Sequence, residues 1–550
     1  MKDDAQKQTW LIAAPVIALL LWAVIYPNVS VIAGSFENGL EHWREFASSP
    51  TEREALSTSL IISVASVVAA LAIGVPLAFL LGRFEFPGRK VLRAVAALPA
   101  ALPPLVGVIA FLFLYGESGV VTRAIQHLFA MREAPWRLSG VPAIVFVHAY
   151  TMYVYVFLFV SAGLERFDST LDEAAAGLGA SDSMRLRRVT LPLLMPAIAG
   201  SALLVFMNAL GSFSAPYVFG GGIRVLSTQI LVSKLNGAMG LAYVETTVLA
   251  ISAIAGLLVF RWLDRKRKYT LSAKSSRVRR RIQSRPLQML TAIGAMVVVV
   301  LLVLPHLMVI LVSFAQDGAW TTQVLPPEYT LDNYRRLFTE AALWKPIVNS
   351  VSMALIATAA NVVVCFLAAY LIVLRRFSGR RLLELLVALP WAIPATAIAL
   401  GLAATFDRNE LGSLRILLVG TFWILPLAYF IRDVPLVASA VESSLKQMDP
   451  SLEDAARGLG ASWLLTMRRV ILPAAKPGLV AGALLAAVTA VGEFVASVVL
   501  FTHANRPISM EILAQLRALA FGTAAAYSVL LILLVLMMTF AARGFEERMV

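Results

Sequence analysis

Two acidic doublets stand at matching places in the chain, Asp172-Glu173 and Glu453-Asp454, and each is followed by paired alanines, Ala174-Ala175 and Ala455-Ala456. Carboxylates beside small side chains suit docking, because charge orients a partner while alanine lets its backbone come close. Another carboxylate, Glu493, lies between Gly492 and Phe494 at the end of an apolar run. An ionisable group at membrane depth is costly and usually functional. Its counterpart is Ser212, between Gly211 and Phe213, with Asn208 one turn before. Asn208, Ser212 and Glu493 could meet a cation or a basic substrate group along a passage; alternatively, Glu493 caps a helix or faces water. His148 and His306 each stand alone in an apolar stretch, which suits hydrogen-bonded packing better than metal binding. Tyr150, Tyr153 and Tyr155 fit an interfacial aromatic belt. There is no G-x-x-x-x-G-K-[ST] phosphate loop, no H-E-x-x-H, no G-x-S-x-G and no His/Cys cluster at metal-ligand spacing. No catalytic residue, metal site or cofactor is expected on this chain.

The elements that must carry these residues follow from composition. Of 550 residues, 59% are hydrophobic and 15% charged, too few charges for a soluble surface of that size. The apolar residues fall into runs of about 20, the length of a bilayer-crossing helix, and inside hydrocarbon such runs must be helical. Twelve spans are expected, beginning near Trp10, Ser57, Val91, Val141, Leu191, Val244, Leu287, Asn349, Leu382, Ile416, Ile471 and Thr523. The first is expected to be a retained helix rather than a removed signal peptide. Prolines 99, 103, 104, 390 and 394 are expected to bend spans 3 and 9. Cys365 is the only cysteine, so no intrachain disulfide is possible.

Lys and Arg set the orientation. Arg83, Arg89, Lys90 and Arg93 follow span 2, and Arg375, Arg376, Arg380 and Arg381 follow span 8. A basic run from Arg265 to Arg285 separates spans 6 and 7, whereas Ser35 to Leu56 is acidic. Both termini are therefore expected in the cytoplasm. The net charge of +14 needs only anionic lipid head groups and topological anchoring as its explanation; nucleic-acid binding is not expected.

The chain repeats itself. Asp168 to Pro196 reads DSTLDEAAAGLGASDSMRLRRVTLPLLMP, and Asp449 to Pro477 reads DPSLEDAARGLGASWLLTMRRVILPAAKP, identical without a gap at roughly half the positions. Leu98-Pro99 and Leu102-Pro103 match Leu389-Pro390 and Ile393-Pro394. Residues 1–264 form a first six-helix repeat, 265–286 a basic linker, and 287–550 a second repeat parallel to the first. Within the duplicated segment, Thr170 and Glu173 have capping-box spacing, and Asp449 precedes a proline at a helix start. A short helix with acids in its first turn should end at Gly179 or Gly460, which tolerate the left-handed conformation.

Glu173-Ala174-Ala175, then Gly179, then Leu191-Pro192 resembles the EAA loop of binding-protein-dependent ABC importer permeases. Asp454-Ala455-Ala456, then Gly460, then Leu472-Pro473 is a second copy, with Asp for Glu shortening the reach of the acid. The resemblance covers essentially the whole chain and implies an all-α membrane protein with the type I ABC importer permease fold. It implies that Glu173 and Asp454 sit at the rim of a groove on a separate cytoplasmic ATPase dimer, with Ala174, Ala175, Ala455 and Ala456 packed inside. Gly179 and Gly460 would turn the chain. ATP and Mg would be bound by that partner, and a periplasmic or lipid-anchored binding protein would deliver cargo to a bacterial inner-membrane permease. The loops Ser35–Leu56, Gly116–Gly140, Pro216–Tyr243, Phe314–Pro346 and His503–Arg517 would form its dock. The fused repeats look most like ferric-iron permeases, through Leu98–Gly116 and Gly492–Ile512. Thiamine, polyamine or phosphonate permeases are the nearer alternatives. A secondary carrier driven by an ion gradient shares the twelve-span count.

Overall fold

The computed structural model describes residues 2–166, 169–265, 280–282, 284–320, 323–407, 415–449 and 451–547. Asp168, Pro450 and most of the basic linker lie outside them. Among the described residues, eleven helices are long and apolar enough to cross a bilayer. In order, spans 1 to 8 are Thr9–Gly34, Pro50–Arg83, Pro104–Leu128, Gly140–Glu165, Asp182–Leu210, Met239–Phe260, Arg285–Val312 and Ala341–Leu374. Span 9 is a bent pair, Arg380–Ala392 and Ala395–Phe406, whose axes meet at 109°. Spans 10 to 12 are Ile424–Lys446, Trp463–Val491 and Phe521–Ala541.

The bend has a steric cause. A residue before proline is pushed out of the helical region, and Ile393, before Pro394, is extended at φ −101°, ψ 125°. Leu102, before Pro103, does the same at φ −93°, ψ 139°. Span 3 therefore starts at Pro104, not near Val91, and the Arg89–Ala97 segment is a separate short helix. Other starts differ from the apolar pattern for local reasons. Spans 2 and 8 begin at Pro50 and Ala341, earlier than near Ser57 and Asn349; Ser49 caps span 2 by accepting from Glu52 N at 3.4 Å. Span 10 begins at Ile424 rather than near Ile416, because Gly420 takes φ +83° just before it. Spans 5 and 11 start at Asp182 and Trp463, earlier than near Leu191 and Ile471, because a π-helical turn joins a short helix, Asp182–Arg185 or Trp463–Thr466, to each.

The two repeats do not pack as separate bodies. Span 1 leaves its own half and lies on the second, with Trp10 against Phe377 at 5.5 Å and Trp22 against Phe406 at 5.1 Å between ring centroids. Gly401 of span 9 lets Pro27 approach so closely that an added Cβ would lie 3.1 Å from its carbonyl oxygen. Span 7 makes the reciprocal crossing: Ala295, Val299 and Leu302 belong to the first half's core. At this crossing the Tyr150 hydroxyl meets His306 Nδ1 at 2.7 Å, both residues buried. Tyr150→Phe would strand a buried ring nitrogen, an expected loss of about 1–3 kcal/mol; thermal unfolding of purified protein in detergent checks it.

Two of the three tyrosines, Tyr150 and Tyr153, are not part of an interfacial belt. Tyr150 and Tyr153 are buried inside the bundle, where hydroxyls can be tolerated because each has a partner, His306 for one and Ala96 O at 3.0 Å for the other. His148 is a packing residue with both nitrogens engaged, by Ser66 and Ser212 at 2.9 Å each. The linker returns to the first half: Arg280–Arg281 forms a two-residue parallel pairing with Phe84–Glu85, just past span 2.

Candidate functional site: two duplicated loops and the seam between halves

The duplicated segments fold alike. Each holds a short helix, Ser169–Gly177 and Ser451–Gly458. Thr170 is inside the first helix, which starts at Ser169, so it is not placed to form a capping box with Glu173. In the second copy Asp449 caps, its Oδ1 accepting from Ser451 N at 2.9 Å. That bond to Ser451 holds the Asp449 carboxyl below its usual range. Gly179 and Gly460 take φ +80° and +82°. After them Ala180 N bonds Ala175 O and Ala461 N bonds Ala456 O, each at 3.0 Å, the paired bonding of a left-handed helix stop.

Glu173, Ala174, Asp454 and Ala455 are exposed, and Ala175 and Ala456 half-buried. Between the alanines and the glycine a leucine projects outward in both copies: Leu178 is 90% and Leu459 89% exposed. Nothing but recurrence in Gly-Leu-Gly could have flagged it. An exposed leucine beside alanines and an acid forms a small apolar knob with a charged edge. The other acid of each doublet turns inward: Asp172 pairs with Arg83 and Glu453 with Arg375.

Downstream, Ser181 and Ser462 cap one further turn each, accepting from Met184 N and Leu465 N. Leu186–Thr190 and Met467–Ile471 are then π-helical, with Leu191 N bonded to Leu186 O and Leu472 N to Met467 O. Pro192 and Pro473 follow at once, and proline can neither donate nor tolerate the carbonyl four residues back. The wider turn accommodates this, so knob and span stay continuous.

At the other ends of spans 5 and 11 the Gly-x-Phe motifs meet. Phe213 and Phe494, both buried, stand edge to face at 5.9 Å. Each glycine faces the broken span of the opposite half. A Cβ on Gly211 would lie 3.6 Å from Pro394 Cβ, and one on Gly492 only 2.8 Å from Pro103 Cβ and Cγ. The repeated prolines and glycines thus build one seam, closed at its centre by two rings.

The polar residues there are engaged. Ser212 meets His148, while Asn208 donates to Leu204 O of its own helix at 2.8 Å. Glu493 is 6% exposed; its Oε1 accepts from Ala496 N at 2.9 Å, capping a short helix, and its Oε2 accepts from Arg432. It therefore does not face water. Arg432, with its side chain 36% exposed, reaches the seam from span 10. Its neighbour Asp433 accepts from Thr489 at 2.8 Å, and Tyr429 bonds Ser497 at 2.7 Å. These residues are additional to those marked by the repeat. Adjacent opposite charges inside the apolar run of span 10 were the available signal. Two contacts brace the seam's flank: Lys234 donates to Val499 O, and the Arg517 guanidinium lies 5.4 Å from the Tyr217 ring centre.

Comparison with known proteins places this geometry. Residues 74–269 and 361–550 match the family described as binding-protein-dependent transport system inner membrane component, one match per repeat. The probable ABC transporter permease protein y4fN of Sinorhizobium fredii is 30% identical over 85% of this chain and 83% of its own. The ferric transport system permease protein FbpB of Actinobacillus pleuropneumoniae is 26% identical over 95% of this chain and 76% of its own. A probable molybdenum ABC transporter permease of Haloferax volcanii is 30% identical over 37% of this chain and 73% of its own. The two matched repeats and the permease relatives make this an inner-membrane permease subunit, served by a substrate-binding protein and an ATPase on another chain. The chain belongs to the binding-protein-dependent transport system inner membrane component family of ABC importers.

Proposed function

We propose that this permease moves iron(III) inward between its halves, driven by a cytoplasmic ATPase dimer that grips the Ser169–Gly177 and Ser451–Gly458 helices. The observation that carries the reading is the duplicated knob, the same exposed acid, alanines and leucine ended by a left-handed glycine in both halves. Glu173 and Asp454 rim the partner's groove, with Ala174, Ala175, Ala455 and Ala456 against its walls. ATP and Mg are held by that partner. The basic connections after spans 2 and 8 support a cytoplasmic position for the knobs and both termini, with the binding protein docking on the opposite face. Iron is favoured over molybdenum because the ferric relative aligns over 95% of this chain and the molybdenum relative over 37%. Passage opens by parting the Phe213–Phe494 contact, with Asn208, Ser212 and the Glu493–Arg432 pair exposed alongside.

The test is co-purification with a partner ABC ATPase, followed by ATP-driven uptake of radioactive iron in liposomes. Valine at both Gly179 and Gly460 must adopt left-handed backbone, which costs about 1–2 kcal/mol at each position. The expected result is loss of the complex and of uptake while the permease still folds. Uptake by the lone chain under an ion gradient overturns the proposal. Uptake of molybdate in place of iron overturns the cargo assignment alone.

A further inference from the structure

The acidic doublets divide their work. In each half one acid is exposed at the knob, and the other is turned back onto the end of a span that has no covalent connection to the knob. Asp172 Oδ2 accepts from Arg83 Nη2 at 2.8 Å, with Arg185 Nη1 at 3.6 Å. Arg83 is the last residue of span 2. Glu453 accepts from both terminal nitrogens of Arg375, one residue past the end of span 8, and from Arg457 at 2.8 Å. Glu453 is 9% and Asp172 18% exposed, so both pairs are shielded enough to hold against solvent. Arg375 is fixed further: its Nε donates to the Tyr370 hydroxyl at 2.7 Å, and Trp463 Nε1 donates to the same oxygen at 3.0 Å.

The halves reach this arrangement with different residues. One uses Asp with an arginine inside the helix end, the other Glu with an arginine beyond it. A helix-dipole role for first-turn acids explains neither the inward turn nor the matching arginines. The chain itself connects the first knob only to spans 4 and 5, and the second only to spans 10 and 11. Span 2 in turn is keyed to span 4: a Cβ on Gly74 would lie 2.6 Å from Val156 Cβ and 2.7 Å from Tyr153 O.

We infer that Asp172 and Glu453 are positioning residues of the transport cycle, fastening each docking knob to the inner end of span 2 or span 8. Through Arg83 and Arg375, displacement of a knob moves three spans as a unit. This rests on the docking role proposed above. Asp172 and Glu453 do not touch the partner; they act through the arginines.

The test uses the permease–ATPase complex in liposomes and reads cargo moved per ATP hydrolysed. Asp172→Asn combined with Glu453→Gln removes a charged hydrogen bond in each half, and that ratio is expected to fall about tenfold. Exchanging the charges in the first half, Arg83→Asp with Asp172→Arg, on the Glu453→Gln background should recover most of the first half's share. An unchanged ratio in the Asn/Gln variant overturns the inference, and so does a loss that the exchange does not restore, which would mark a folding defect only. Failure of the docking role itself is distinguishable, because then the unmodified chain would bind no ATPase.

Discussion

Arg432→Met is expected to destabilise the protein by about 3–5 kcal/mol, the cost of stranding a buried charge, and to abolish uptake. Glu493 is 6% exposed, and without Arg432 the only donor left to its carboxylate among those described is Ala496 N. The low-dielectric surroundings that strengthen the pair also make its rupture expensive. The double variant Arg432→Met/Glu493→Gln removes both charges together, and folding should return close to normal, since a buried pair is often replaceable by neutral residues. Thermal unfolding in detergent reads the first quantity and uptake in liposomes the second. If the double variant also recovers full uptake, the pair is a staple of the second half and not part of the passage. Glu493→Gln alone is milder, because the partly exposed Arg432 keeps some hydration; unchanged uptake in that variant would take Glu493 out of the route.

Gly492→Ala should reduce uptake about tenfold or more, from overpacking worth about 1–3 kcal/mol where the halves close. The first added carbon would already stand 2.8 Å from the Pro103 ring, and a proline ring cannot rotate aside. Gly211→Ala is the matched control. Its Cβ would be 3.6 Å from Pro394, an ordinary contact, and uptake should stay near the unmodified level. Equal effects at both positions would mean that the seam does not close as tightly on the Gly492 side as its geometry implies.

Much of this was legible in the residues, for reasons that differ from element to element. The knobs could be read because acid, alanine and glycine impose local chemistry that does not depend on the rest of the fold. Breaks in spans 3 and 9 could be read because a proline dictates its predecessor's backbone. Helix starts fixed by caps and turns, as at Ser49 and Gly420, were displaced from the apolar pattern because hydrophobicity marks what can lie in lipid, not where a helix begins. Arg432 escaped notice because it lies in span 10, outside the repeated motifs, where only its adjacency to Asp433 marked it. The inward turn of Asp172 and Glu453 depends on arginines 89 and 78 residues away in sequence, a distance that spacing cannot bridge. Tyr150 met His306 only because span 7 crosses to the other half, which no periodicity reports.

That crossing constrains how the molecule is made. The first six spans emerge from the ribosome with Ala295, Val299 and Leu302 still unsynthesised, so their helix bundle waits in the bilayer with one flank wetted by lipid until span 7 arrives. Span 1, in turn, is inserted long before the surface it belongs to exists. Cutting the chain within 266–279 after assembly should therefore leave two fragments interlocked, whereas either fragment produced alone would be left without a neighbour it needs.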